Sequence, residues 1–230
     1  MPGTDELVFS GEMKEGVYRA IYGRRDIRSQ FMPDPIPDEV LLKILRAAHH
    51  APSVGFMQPW NFIVIEDAAA RREVKESFER AHAAAKELFP EPKRAAYGSF
   101  KLEGILESPV NVCVTCDRSR FGPVVIGRTC QREMDLYSAV CAVQNLWLAA
   151  RAEGVGVGWV SIVYPKDLKR ILRLPSQVVP IAYLCLGYVT HFPQEPELQK
   201  AGWLPRLALK EVVFTERWGD RTGRICEALG

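Results

Sequence analysis

The sequence predicts an α+β chain, a central mixed sheet flanked by helices. Three observations point there. Segments of helical period alternate with short apolar runs of strand length. One helical segment, 134–151, is apolar almost all round, so it is expected to be buried on most sides, in a large core or at a subunit interface. The chain has 230 residues, 47% of them hydrophobic, which is enough for one sizeable core and one domain over 1–230.

Taken in order, 12–23 is helical, with Met13, Val17, Ala20 and Ile21 on one side. Prolines 33, 35 and 37 then enforce an extended connection. Asp38 reads as the N-cap of a second helix, carried by Val40, Leu41, Ile44, Leu45, Ala47 and Ala48 and stopped by Pro52. A loop of glycine, small polar and amide residues follows over 52–60, then a strand over 61–66; such a loop commonly carries binding groups. The charged, alanine-rich stretch 67–88 is a helix with a solvated face. The Pro-rich stretch 90–106 interrupts the core pattern and reads as an excursion, a lid or an ordinary surface loop. A strand over 109–116 returns to the core, and 117–131 is irregular.

The run Gly154-Val155-Gly156-Val157-Gly158 invites a dinucleotide reading but has the wrong context. A dinucleotide fingerprint follows a strand and opens a helix, whereas these glycines follow a helix and lead into a strand over 159–163. A helix C-cap and close backbone approach account for them better. A short helix over 165–172 and a central strand over 178–189 follow. From 194 on the chain is polar and Pro-interrupted, and is expected to wrap a partner subunit.

Composition excludes several classes. The net charge is +2, without a basic tail or aromatic–basic interleaving, so nucleic acid is not an expected partner. No apolar run approaches the ~20 residues of a membrane span. The stretch 1–15 is acidic and polar, unlike a signal peptide, so a soluble cytoplasmic chain is expected. Cys113 and Cys116 form a C-x-x-C, but on a strand they face opposite ways and cannot chelate one metal. The six cysteines are expected to be free thiols, and no metal site is expected. His49 and His50 end a helix and are given no part in proton transfer.

The stretch with most chemistry is Arg24-Arg25-Asp26-Ile27-Arg28, at the end of the first helix. A guanidinium fork matches two phosphate oxygens and stays charged at physiological pH, so three of them could hold a phosphate dianion. A solvated basic helix end, suited to the helix dipole, is the plain alternative. Asp26 weakens a phosphate site unless it has another task.

Together, Arg-Arg-x-x-Arg, the Pro-x-Pro turn, Ala51-Pro52-Ser53 with Gln58-Pro59-Trp60-x-Phe62, the glycine-rich strand entry and Leu204-Pro205-Arg206 resemble the flavin-dependent nitroreductase superfamily. The resemblance spans about residues 12–220. It implies a homodimer with two flavin mononucleotides (FMN) at the interface, each touched by both chains. It assigns Arg24, Arg25 and Arg28, in the stretch that includes Asp26 and Ile27, to the FMN phosphate and ribityl chain. Ser53, Gly55 and Gln58 fall on a flavin-contacting loop, and Arg206 matches a C-terminal basic residue near the phosphate, with Lys210 as competitor.

Two departures indicate a branch. Asp26 stands where family members commonly have a small residue, and Val160-Ser161 stands where they usually have an acidic-Gly pair. Both resemble the branch that consumes reduced FMN with dioxygen, releasing 5,6-dimethylbenzimidazole, the lower ligand of cobalamin, and erythrose 4-phosphate. The resemblance makes Asp26 the base at the ribityl hydroxyls, kept ionised by its arginines, and Ser161 a hydroxyl donor or acceptor beside the flavin ring. Such chemistry needs a dry, closed pocket, which the 90–106 excursion would cover. A separate flavin reductase would supply reduced FMN. An NAD(P)H-dependent nitroreductase or flavin reductase is the alternative enzyme, and a non-catalytic flavin-binding protein the alternative class.

Overall fold

The computed structural model describes residues 8–230, so part of the acidic 1–15 stretch lies outside the described residues. Where the sequence reads as one domain, packing separates two compact units, Met1–Phe192 and Pro193–Gly230.

Among its described residues the first unit holds six α-helices and four strands: α1 (Gly11–Gly23), α2 (Asp38–His49), β1 (Trp60–Ile65), α3 (Ala68–Lys86), α4 (Lys93–Ser99), β2 (Val110–Asp117), α5 (Met134–Ala152), β3 (Val155–Val160), α6 (Pro165–Ile171) and β4 (Val178–Tyr188). The sheet order is β1-β2-β4-β3, which makes β4 an inner strand, as its hydrophobicity predicts. The four strands pair antiparallel throughout. The parallel component is a bridge between Asp26 and Val157, outside the strands proper.

Side chains alternate across the sheet and give each face its own core. On one face, Val110, Val112, Val114 and Cys116 of β2 and Leu184 and Leu186 of β4 pack with Ile44 of α2 and Val143 and Leu146 of α5. On the other, Cys113, Tyr183 and Cys185 pack with Val74 and Phe78 of α3, Leu168 of α6 and Ile105. Cys113 and Cys116 therefore lie on opposite faces, and burial pushes both thiols up to about 12. A bulge between Val114 and Thr115 shifts the β2–β4 register.

Several boundaries differ from expectation. Pro37, not Asp38, is the N-cap of α2; Asp38 and Glu39 lie in its first turn, where acidic residues suit the dipole. Asp67 does cap α3, accepting from the Ala69 and Ala70 N–H groups at 3.3 and 3.0 Å, and those bonds hold its carboxyl below the usual range. The 90–106 excursion contains α4, whose Tyr97 stacks on His82 of α3 at 4.7 Å. Its later half is core: Ile105 is wholly buried, and Arg71 donates to the carbonyls of Ile105, Leu106 and Ser108.

α5 is buried on its sheet side, but Tyr137 and Val140 are exposed. α1 packs on α5 and has no buried residue of its own. Its Met13, Val17, Tyr18, Ile21 and Tyr22 all face outward.

The second unit consists of three short helices, α7 (Glu197–Lys200), α8 (Leu209–Val212) and α9 (Arg224–Ala228), joined by turns. None contains a buried residue. Internally, Phe214 meets Trp218 at 4.9 Å, and Arg221 donates to the carbonyls of Lys210 and Glu211.

Candidate functional site

The arginine cluster is not a helix end. α1 stops at Gly23, and Arg24 already has extended dihedrals (φ −66°, ψ 139°). The chain then runs beside β3: Ile27 N–H donates to the Val157 carbonyl at 3.0 Å. Such close approach requires glycine in β3. A Cβ on Gly158 would lie 2.1 Å from the Ile27 carbonyl oxygen, and one on Gly156 would lie 3.0 Å from Ile27 Cγ1. The glycine run is thus part of the strand, and close approach explains two of its members. Gly154, at φ +76°, follows the C-cap of α5.

Ile27 is wholly buried and anchors the segment, so its side chain cannot face a ligand. Around it, Arg24, Arg25, Asp26 and Arg28 stay half-buried and reachable. Arg24 lies over the Trp147 ring at 4.8 Å, and Trp147 Nε1–H donates to the Arg25 carbonyl at 3.2 Å. Arg25 Nη1 donates to the carbonyls of Tyr22 and Arg24 at 2.8 and 2.7 Å.

Asp26 is held from two sides. Its Oδ1 accepts the Trp159 N–H at 2.8 Å. Its Oδ2 accepts Arg28 Nη2 at 2.8 Å and Nε at 3.2 Å. Arg28 Nη1 donates to the Lys101 carbonyl at 3.4 Å. The fork expected on a phosphate is therefore a clamp on Asp26, a pairing that neighbouring opposite charges already allow. Asp26 keeps 31% of its side-chain surface exposed.

Ser161 is the first residue beyond β3, two along from the Trp159 amide that Asp26 holds, hence roughly 7 Å along the chain. It is exposed, and its hydroxyl has no hydrogen-bond partner among the described residues.

The 53–58 loop is a tight turn. Ser53 Oγ accepts the Gln58 N–H at 3.0 Å, and Gln58 Nε2 donates to the Phe56 carbonyl at 3.1 Å. Gly55 has φ +59°, and a Cβ there would meet the Ile126 carbonyl oxygen at 2.7 Å. This loop precedes β1, at the opposite edge of the sheet from Asp26. Four strand spacings separate the two, roughly 19 Å. α5 provides a second ruler: Val54 N–H meets Ser138, while the Arg25 carbonyl meets Trp147, roughly 13 Å further along the helix. One chain thus brings Arg24, Arg25, Asp26, Arg28 and Ser161 together, and keeps Ser53, Gly55 and Gln58 apart from them.

Arg206 is exposed in the second unit. Its competitor Lys210 donates to the Gly230 carbonyl there at 2.8 Å. The adjacent histidines are structural: His49 Nδ1 accepts from Trp60 at 3.1 Å, and His50 Nδ1 lies 2.8 Å from the Arg46 carbonyl. A cavity of about 500 Å³ is lined by Arg118, Arg128, Arg132 and Asp135 among others. Its arginines brace the 118–132 loop: Arg118 and Arg128 share the Asp135 carboxylate at 3.1 and 3.6 Å.

The Nitroreductase family model matches residues 21–188. Two curated relatives cover most of the chain. The 5,6-dimethylbenzimidazole synthase of Rhodospirillum rubrum is 39% identical over 86% of this chain and 94% of its own length. That of Rhodobacter capsulatus is 34% identical over 86% and 96%. Among solved structures, oxidized iodotyrosine deiodinase bound to FMN and 3-iodo-L-tyrosine superposes with a TM-score of 0.67 at 21% identity, over 88% of this chain and 98% of that one.

Proposed function

We propose, from the premise that the chain belongs to the nitroreductase family, that it fragments reduced FMN with dioxygen, releasing 5,6-dimethylbenzimidazole and erythrose 4-phosphate. The names of the two curated relatives support this reading. The observation that carries it is Asp26, a carboxylate held at the centre of an arginine cluster by the Trp159 amide and the Arg28 fork. A pure phosphate site has no use for that charge.

The donor set suits FMN. Arg24 and Arg25 are half-buried residues whose charge matches a phosphate monoester. Reduced FMN, when bound, supplies the carbon skeleton of the product and the electrons that dioxygen takes up. The chain's own groups do the rest. Arg24 and Arg25 grip the phosphate. Arg28 keeps Asp26 ionised and fixes its direction, and Asp26 Oδ accepts a proton from a ribityl hydroxyl. Ser161 Oγ, without a hydrogen-bond partner among the described residues, donates to or accepts from the flavin edge.

The site is completed across a homodimer. Ser53, Gly55 and Gln58 would reach the flavin held by the partner's arginines, because within one chain they lie on the far sheet edge. The outward apolar residues of α1 and α5 supply the surface for such a pairing. In the second unit, Leu204, Leu207, Leu209, Val212 and Trp218 are exposed as well, which suits a tail wrapping the partner, with Arg206 the basic residue offered to the phosphate. The α4 half of the 90–106 excursion remains the proposed cover, and a separate flavin reductase the source of reduced FMN.

The test is direct. Purified protein is mixed with excess chemically reduced FMN in air, and the benzimidazole is sought by mass. Product should appear as FMN disappears; reoxidation with FMN intact would overturn the reading in favour of an ordinary nitroreductase. Asp26→Asn should abolish product and leave FMN binding within about threefold, since the phosphate grip stays whole. Unchanged turnover would remove Asp26 from the mechanism.

A further inference from the structure

We infer that Glu103 is a positioning residue for Asp26, acting through the 101–105 turn and Arg28. The inference rests on the catalytic reading above. Glu103 is 2% exposed. Its Oε1 takes the ammonium groups of Lys75, at 2.7 Å, and Lys101, and its Oε2 accepts the Ile105 N–H at 2.8 Å. Lys101 also meets Glu107. One buried carboxylate therefore ties α3, both ends of the turn and the start of the core segment together.

That turn touches the site at two points. The Lys101 carbonyl takes the Arg28 nitrogen that Asp26 leaves unused. Three residues on, Gly104 lies against the 28–31 main chain: a Cβ there would be 2.8 Å from the Arg28 carbonyl oxygen and 2.5 Å from the Phe31 ring. Arg28 thus meets the same turn twice, by a side-chain hydrogen bond and by close approach of its carbonyl to Gly104.

A buried ion pair is a poor stabiliser. Desolvation offsets most of its attraction, and packed apolar groups often serve stability as well. What it adds is direction. Burial alone would raise the Glu103 carboxyl, but the bonds from Lys101 and Lys75 outweigh it and hold the group below the usual range. The charge persists, and with it a fixed turn.

The consequence is that the 90–106 excursion is wired to the catalytic carboxylate at its base. A shift of the turn would alter the Arg28 fork, and hence both the aim of Asp26 and its readiness to accept a proton.

Three variants separate positioning from plain stability. Glu103→Gln keeps the shape and an acceptor for Ile105 but loses the charge. Lys101→Met removes the cation on the turn that carries the Arg28 acceptor. Lys75→Met removes the cation on α3 and leaves the turn paired. Turnover of reduced FMN, FMN affinity by flavin fluorescence, Tm, and the ¹⁵N signal of Arg28 Nε–H are measured for each.

Glu103→Gln and Lys101→Met should lower kcat by about tenfold, as small misplacements of a reacting group do. FMN affinity should stay within about twofold because the phosphate grip is untouched. The acid limb of the kcat–pH profile should move to higher pH, since a loosened Arg28 no longer favours the ionised carboxylate. The Arg28 signal should shift in both. Lys75→Met, which strips one of the two cations on Glu103 but leaves the turn paired, should move kcat, profile and signal the same way by less than Lys101→Met, whatever its Tm, and Lys101→Arg should restore what Lys101→Met loses. Effects that follow Tm across all variants, or an Arg28 signal indifferent to Glu103, would overturn the inference. A wild-type protein that makes no benzimidazole while its Arg28 signal still answers to Glu103 would overturn the catalytic reading alone.

Discussion

Asp26 and Arg28 show how far a residue's chemistry depends on its neighbour. The sequence marks three arginines as equivalent phosphate ligands, but Arg28 spends its fork on Asp26. The distinction is invisible in the spacing, because Trp159, which holds the other oxygen of Asp26, lies 133 positions away in the chain. Arg28→Lys tests the geometry and not the charge. An ammonium is a point donor and cannot set two nitrogens on one carboxylate oxygen while a third holds the Lys101 carbonyl. Turnover of reduced FMN should fall by roughly 10- to 100-fold, the range expected when a positioned base loses its orientation. FMN affinity, read by fluorescence titration, should fall much less. An equal loss in both would return Arg28 to the phosphate.

At the scale of elements, helices and strands were legible wherever local pattern decides them. The apolar stretch 134–151 is α5, and the strand read at 109–116 is β2, with Cys113 and Cys116 on opposite faces. What was not legible are features made by distant contact. The 24–28 segment contains good helix formers, yet it is extended because Ile27 pairs with Val157. The glycines read as the approach to a strand are inside it, because only they leave room for that pairing. The last residues of the excursion are core because Arg71 and Glu103 draw them in, and neither side chain announces its partners. Gly158→Ala checks this account. Its Cβ would enter the Ile27 carbonyl, a backbone atom that cannot turn aside. Overpacking of this kind costs about 1–3 kcal/mol. The strain falls on the 24–28 segment, so FMN binding and turnover should both drop, by more than the loss of Tm explains. Alanine at Gly11, which has no positive φ and nothing within 4 Å, serves as control for an added methyl without the clash.

For the whole molecule, the proposed site divides between two sheet edges, and under that proposal a dimer becomes a chemical requirement. Asp26 and the arginines sit beside β3; Ser53, Gly55 and Gln58 sit before β1. With core and α5 between them, no side-chain motion within one chain unites the halves. A second copy does so twice by symmetry, since an isologous pairing that brings one loop to one cluster brings the other loop to the other. Two inactive chains should therefore repair each other. Asp26→Asn lacks the base but keeps the loop. A Ser53→Ala/Gln58→Ala double variant lacks the loop groups but keeps the base. In a heterodimer of the two, one site carries both defects and the other none. Random pairing makes half the dimers heterodimers, so co-expressed chains should recover about a quarter of wild-type turnover. Heterodimers isolated with two affinity tags should recover about half. Activity no greater than the sum of the parents would mean that each site is built within a single chain, and the loop would lose its assigned role.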